Sequence, residues 1–536
     1  MNLALQAVPQ KKSWNSPNFE NSFDKQCFFK VLKILKGLLK KSLKRGAGVE
    51  PLHFTIIYPF RTEKEYPMPT PQSSPRALAH ATLLAVERGQ YGNIAVDTAL
   101  KRTPLSEPDR HLYTALVYGV IERKTTLEYL LAKFSSRPLE ELDPAVRLAL
   151  CLGLYQLIYL DRVPDHAALD ETVSLVPRKV SGYVNAVLRA YLRFETTLPP
   201  EADGSRAPRE NQLTTPAHWV ARFPDLTNPM EAMAVCCGVP VSLCKTFADA
   251  LGYERALSVL TAFGDNPPMT VRVNTLATTA EALNESLTAE GIRVHPALYA
   301  PHALRVPEGA LTLTQDFADG RFFVQDEASQ LCVAALDARP GHVVADTCAC
   351  PGSKSFGIAL SMENRGEVHA FDLHKSKLSL ITDNAKRLGL SIITAEERDA
   401  RDPDPALLGK CDRVLCDVPC SGLGVIAKKP EIRHKDLTES ARLPAIQAAI
   451  LEASAGYLKP GGVLVYSTCT ILPAENQEVV RGFLATHPEF EPLDFAFPAG
   501  DGSVADITSE GGMVTLLPDA NRTDGFFIAR LRRTPD

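Results

Sequence analysis

The stretch HVVADTCACPGSKSFGIALSMENRGEVHAFD, residues 342–372, decides the fold. It reads as an apolar run, a turn of small residues, a helical pattern, and a second apolar run closed by Asp372. The same rhythm repeats downstream. Strands are predicted at His342–Ala345, Glu367–Phe371, Ile392–Glu396, Asp412–Cys416, Val463–Ser467 and Gly525–Arg530. Strands alternating with helical segments mark a doubly wound, Rossmann-like α/β domain, expected here over residues 321–536. In such a sheet the ligand lies beyond the carboxyl ends of the strands. Acidic residues stand at four of those ends: Asp346, Asp372, Asp399 and Asp417.

Upstream the periodicity changes. Residues 75–195 are helical throughout; in Ala145–Leu160 the residues Leu148, Cys151, Leu152, Tyr155 and Tyr159 recur at three- and four-residue steps after Asp143-Pro144, an N-cap followed by proline. A small all-α domain is expected, with Arg76, Arg178, Lys179, Arg189 and Arg193 as candidates for a basic face. Residues 196–238, rich in Pro, Glu, Asp and Thr, read as a linker or insertion. Residues 239–320 mix helical and strand-like pieces and read as a small α+β module. Residues 1–74 differ from the rest. Lysines at 30, 33, 36, 40, 41 and 44 with apolar residues between them form a basic amphipathic pattern, read as a disordered or spurious extension ahead of the start offered by Met68.

The chain has 536 residues, 45% of them hydrophobic, too many for one core. No run of about 18 apolar residues argues for a membrane span, and no apolar segment of a secretory signal is present, so the cytoplasm is the expected compartment. The twelve cysteines lack the spacing of a disulfide framework and of a zinc site, so reduced thiols and no metal are expected. A net charge of -5 decides nothing about nucleic acid, which is bound by local Lys and Arg clusters.

Two cysteines stand apart. Cys420 lies in DVPCSGLG, residues 417–424, and Cys469 in STCT, residues 467–470, each just past a predicted strand. A thiol at a strand end is placed for nucleophilic chemistry rather than for packing. The turn DTCACPGSKS, residues 346–355, opens a helix, where small residues let backbone approach a ligand and the helix start favours an anionic group.

From about Phe322 onward these motifs, with LPDANRTDGFF at 517–527 and Arg272-Val-Asn274 ahead of them, resemble the RNA (cytosine-5) methyltransferase family. The helical region resembles the NusB RNA-binding domain in Gly153–Tyr159, Pro164–Leu169 and Val184–Arg189, a fusion that points to the 16S ribosomal RNA branch. The resemblance implies S-adenosyl-L-methionine as cofactor, held by Asp346, Cys348, Ala349, Cys350, Pro351, Gly352, Ser353, Lys354, Asp372, Asp399 and Asp417. It implies Cys469 as the nucleophile that adds to C6 of cytosine, Cys420 as the group assisting release, and Asp417 facing the target base. Ser353 stands where the family has glycine and Cys350 where alanine is common; a serine there narrows the turn's freedom. The implied partner is 16S ribosomal RNA, free or in early assembly, met by a monomer. The same chemistry on tRNA or 23S ribosomal RNA, and a non-catalytic RNA-binding assembly factor, are the alternatives. Lys428, Lys429, Arg433, His434 and Lys435, following the Cys420 motif, are candidates for substrate phosphates.

Overall fold

Proline and a short polar side chain start several helices of the N-terminal third. Ser74, Ser106 and Asp143 each accept a backbone N–H from the first turn of the helix they precede, with proline in its first two positions. The computed structural model describes residues 74–196, 215–264, 268–307, 309–500 and 503–535, so the basic pattern before residue 74 lies outside the described residues.

Seven helices form the expected all-α region: α1 (Pro75–Glu87), α2 (Gly92–Arg102), α3 (Glu107–Glu122), α4 (Lys124–Phe134), α5 (Pro144–Tyr159), α6 (Asp165–Ser174) and α7 (Arg178–Thr196). Helix α2 escapes the sequence pattern because its buried residues are small: Gly92, Ala95, Val96 and Ala99. Helix α5 is not the one-faced helix its spacing suggests. Leu150 and Leu154 are as buried as Leu148 and Leu152, because α1, α3, α4, α6 and α7 surround it.

Residues 196–238, expected as a linker, carry α8 (Pro216–Arg222) and α9 (Pro229–Cys237) in their second half. Their prolines sit in first helical turns, with Thr215 and Asn228 as capping acceptors, so the composition reads as a loop while the positions start helices. Trp219, Phe223 and Met233 then join the same apolar core as α5. Helices α10 (Val241–Leu251) and α11 (Tyr253–Ala262) also bury Leu243, Phe247 and Val259 in that core.

The module that follows is a four-stranded antiparallel sheet, β2 (His295–Pro296), β3 (Ala303–Val306), β1 (Met269–Val273) and β4 (Phe322–Val324) in that spatial order, backed by α12 (Ala280–Ala289). Its last strand lies beyond residue 320, the expected boundary, because Phe322–Val324 pairs with β1.

Helix α13 (Glu327–Leu336) leads into the large sheet. Strands β5 (Val343–Asp346), β6 (Glu367–Asp372), β7 (Ile393–Glu397), β8 (Cys411–Asp417) and β9 (Leu458–Thr468) are parallel, with α14 (Ser353–Ser361), α15 (Leu378–Arg387) and α16 (Leu443–Ala455) among the crossovers. Helix α17 (Gln477–Thr486), edge strand β10 (Phe490–Pro492) and a small ribbon, β11 (Ala496–Phe497) with β12 (Ile507–Thr508), precede β13 (Met513–Leu516) and β14 (Phe526–Arg533). The order is β10-β14-β9-β8-β5-β6-β7, with β13 also against β14. All six expected strands are present. The last runs antiparallel to β9 and forms a hairpin with β13, the two joined through only a short helix, Pro518–Asn521. Chain order reverses between β5 and β8, which opens a crevice at their carboxyl ends, where Asp346 and Asp417 lie.

Candidate active site

The turn after β5 is built on buried contacts. Asp346 is fully buried, and its Oδ2 accepts from Ser355 Oγ at 2.6 Å. Burial, reinforced by the charge of Asp417, raises its carboxyl pKa to about 7. The Ala349 N–H donates to Phe371 O at 2.7 Å and ties the turn to β6. A cis peptide joins Cys350 to Pro351, and Gly352 follows with φ 107°, where a Cβ would come within 2.6 Å of the Phe356 ring. The left-handed position falls on Gly352, while Ser353 is simply the first residue of α14, so the serine costs the turn nothing.

Asp372 ends β6. Its Oδ1 accepts the His374 N–H at 2.9 Å and its Oδ2 the Cys350 N–H at 3.3 Å, which leaves further lone pairs on a half-buried carboxylate. A close backbone turn at a helix start beside such a carboxylate suits a ligand with a carboxylate at one end and a diol at the other. Asp399 lies just past β7, and Arg401 occupies it through Nε at 2.9 Å and Nη2 at 2.6 Å. Cys348 and Cys350 lie in the turn between β5 and α14. Burial pushes both up, Cys350 to about 11, and the Cys350 Sγ donates to Lys377 O at 3.3 Å.

The other two cysteines meet. Cys420 Sγ and Cys469 Sγ are 3.2 Å apart, brought together because their strands, β8 and β9, are neighbours. The hydrogen bond from the Cys420 thiol, helped by the charges of Lys354 and Lys429, holds Cys469 below its ordinary thiol pKa; the same bond and burial push Cys420 up. Lys354, expected in the cofactor turn, sends its side chain the other way: Nζ donates to Asp417 Oδ2 at 2.6 Å, and Ser467 Oγ donates to Oδ1 at 2.7 Å. Burial opposes the charge on Lys354, but the charge and hydrogen bond of Asp417 together with the nearby Cys332 and Cys469 raise its pKa, so the ammonium stays charged beside the thiols.

A clamp behind the thiols was not anticipated. Glu475 Oε2 accepts from the Ser421 N–H at 2.9 Å and from Gln447 Nε2 at 2.9 Å, while Gln447 Nε2 also donates to Pro419 O at 2.9 Å. Both peptides flanking Cys420 are thereby fixed. Asn476 braces the residues on either side of Cys469: its Oδ1 accepts from Thr468 Oγ1 at 2.6 Å and its Nδ2 donates to Thr470 O at 3.0 Å. The signal available in the sequence was a Glu-Asn pair following the apolar Ile471-Leu472-Pro473.

The basic loop after Cys420 does not form one phosphate-binding patch. Arg433, only 2% exposed, donates to Phe263 O at 2.7 Å and to the carbonyls of Glu122, Cys237 and Ile426 at 3.4 to 3.5 Å. It therefore caps the C-terminal ends of α3, α9 and α11. His434 bonds Ile121 O at 2.9 Å, and Lys428 pairs with Asp326 and with Asp524 at 3.0 Å. Lys429 and Lys435 remain exposed. Of the basic residues expected on the helical region, Arg178, Lys179, Arg189 and Arg193 are exposed along α7, while Arg76 Nε donates to the buried Gln156 at 2.5 Å.

Three family models match the chain: 16S rRNA methyltransferase RsmB/F over residues 333–532, the NusB family over 73–193, and an RsmF/B-like ferredoxin-like domain over 239–311. The "probable ribosomal RNA small subunit methyltransferase B" of Bacillus subtilis (strain 168) is 36% identical over 469 residues, 86% of this chain and 99% of that protein. The ribosomal RNA small subunit methyltransferase B of Klebsiella pneumoniae is 33% identical over 466 residues, 84% of this chain and 96% of that protein. The crystal structure of PH0851 superposes with a TM-score of 0.67 at 25% identity, covering 86% of this chain and 98% of that one.

Proposed function

The chain belongs to the ribosomal RNA small subunit methyltransferase B family, and from that premise we propose that it methylates carbon 5 of a cytosine in 16S ribosomal RNA through a covalent adduct on Cys469. The observation that carries this reading is the 3.2 Å approach of the two thiols, with Lys354 and Asp417 beside them.

Carbon 5 of cytosine is a poor nucleophile until a group adds to C6. The Cys469 thiolate makes that C–S bond and pushes an electron pair into the ring. Asp417 faces the ring edge, and the charged Lys354 opposes the build-up of negative charge there. The residues of the turn, with Asp346 and Asp372, would hold S-adenosyl-L-methionine, which supplies an electrophilic methyl group when bound. Once C5 carries the methyl, its proton must leave before the C–S bond can break. Cys420 assists that removal, so that the electron pair reforms the C5–C6 double bond and Cys469 departs as thiolate. Glu475 and Asn476 act through the thiols by holding their backbones.

The expected outcome with 16S ribosomal RNA transcript and S-adenosyl-L-methionine is that Cys469→Ala abolishes methylation and Cys420→Ala leaves a protein–RNA complex that survives a denaturing gel. A trapped complex with Cys469→Ala and none with Cys420→Ala would exchange the two roles. Bisulfite sequencing of ribosomal RNA from cells with and without the gene identifies the cytosine; no change in any 16S position would rule out this substrate.

A further inference from the structure

A buried cation is stable where its donors are met, and Arg272 is far from that condition. It sits on β1 between Ala303 of β3 and Phe323 of β4 and is 9% exposed. Its Nη2 donates to Ser361 Oγ at 3.2 Å, the one hydrogen bond described for a guanidinium with five N–H donors. It takes part in no ion pair among the described residues, and its pKa is lowered to about 10 by burial alone. Its Nη1 rests so closely on α14 that a Cβ at Gly357 would come within 2.6 Å of it.

Arg272 is one of the residues lining a cavity of about 510 Å³ between the small module and the catalytic domain, walled also by Leu298, Tyr299, Leu331, Ala334 and Phe497. That volume falls within the usual range for small-molecule sites, and a mostly apolar wall with a single fixed charge is their usual composition. The Gly500 N–H donates to Leu298 O at 2.6 Å and joins two of the loops that line the cavity. His302, also on the wall, is kept below its ordinary pKa by burial and by the charge of Arg272.

We propose that this cavity binds a small organic anion, with a carboxylate or phosphate head on Arg272 and an aromatic or aliphatic body against the apolar wall. The head group takes the donors that the protein leaves unmet, and the body displaces water from the wall. A purely structural arginine is held differently in this same molecule, as the carbonyls gathered around Arg433 demonstrate. The site is separate from the thiol pair. Arg272 meets α14 at Gly357 and Ser361, whereas the residue of that helix beside the thiols is Lys354, which pairs with Asp417.

The test is calorimetric titration of the full chain with phenyl phosphate and with benzoate, two head groups on one aromatic body. Saturable binding of either at one molecule per chain is expected, weakened at least about tenfold, or about 1.4 kcal/mol, in Arg272→Met. Ala334→Phe, which fills the cavity and leaves the arginine in place, is expected to abolish binding, and it decides the matter if Arg272→Met does not fold by circular dichroism. No binding to the wild-type chain, equal affinity in a folded Arg272→Met, or equal affinity for inorganic phosphate would each overturn the proposal.

Discussion

Two arginines are buried at two seams of this molecule and are held in opposite ways. At the seam between the helical region and the catalytic domain, Arg433 reaches the carbonyls of Glu122, Cys237, Phe263 and Ile426. Around it Leu423, Ile426 and Ile471 of the catalytic domain enter the apolar core of the helices. At the seam between the small module and the catalytic domain, Arg272 has one hydroxyl partner and a cavity. That second seam is fastened elsewhere. Asn274 Nδ2 donates to Gly320 O at 2.8 Å and Leu388 O at 2.9 Å, and Arg387 Nη1 donates to Phe317 O at 2.6 Å. A buried charge that fastens structure is surrounded by acceptors, and one left short of them is available to a ligand.

The largest expected effect tests the first half of that contrast. Arg433→Met strands the ends of three helices and is expected to cost about 3 kcal/mol in urea unfolding, with Arg433→Lys intermediate because one ammonium cannot span the same carbonyls. Since residue 433 shares a loop with Cys420, methylation is expected to fall as well. A stable, fully active Arg433→Met would dissolve the comparison.

Asn274→Ala removes two hydrogen bonds to buried carbonyls and is expected to cost about 2 kcal/mol by the same measurement. Loss smaller than that of Arg272→Met would mean that the fastening residue has been misidentified.

The pH dependence sharpens the first seam. Burial holds the pKa of His434 at about 4, below the usual 6.5, while it bonds Ile121 O. The unfolded chain therefore binds the extra proton between those values and the folded chain does not, so stability is present above pH 6.5 and is lost as pH falls toward 4. The slope from this residue approaches about 1.4 kcal/mol per pH unit. His434→Gln, able to donate to the same carbonyl, is expected to flatten that part of the profile measured by thermal unfolding.

The smallest effect is the most discriminating. Arg272→Met is expected to change stability by less than about 0.5 kcal/mol, or to increase it, because it removes a buried charge that no carboxylate balances. A loss as large as that of Arg433→Met would make the two arginines alike.

Much of the catalytic domain was legible in the sequence. A parallel strand buried on both faces reads as a continuous apolar run, and its ligand side begins with small or acidic residues, so Val343–Asp346 and Val414–Asp417 announce themselves locally. The antiparallel course of β14 did not, since strand direction depends on a partner and not on side chains. Helices α8 and α9 were hidden because proline at a first helical turn has the same composition as proline in a loop. The clamp of Glu475 and Asn476 was hidden because its meaning lies in the backbone atoms it reaches.

The basic loop shows the division most clearly. By itself the sequence determined that Cys420 and Cys469 stand past neighbouring apolar runs and that a cluster of cations follows the first. Residue type and local periodicity are enough for that. Only the tertiary structure decided what the cations do, because the carbonyls that Arg433 caps lie as far as 311 residues away in the chain. A hydrogen bond depends on angle and distance in space, and a cation in a loop reads the same whether it faces phosphate, water or the ends of three helices.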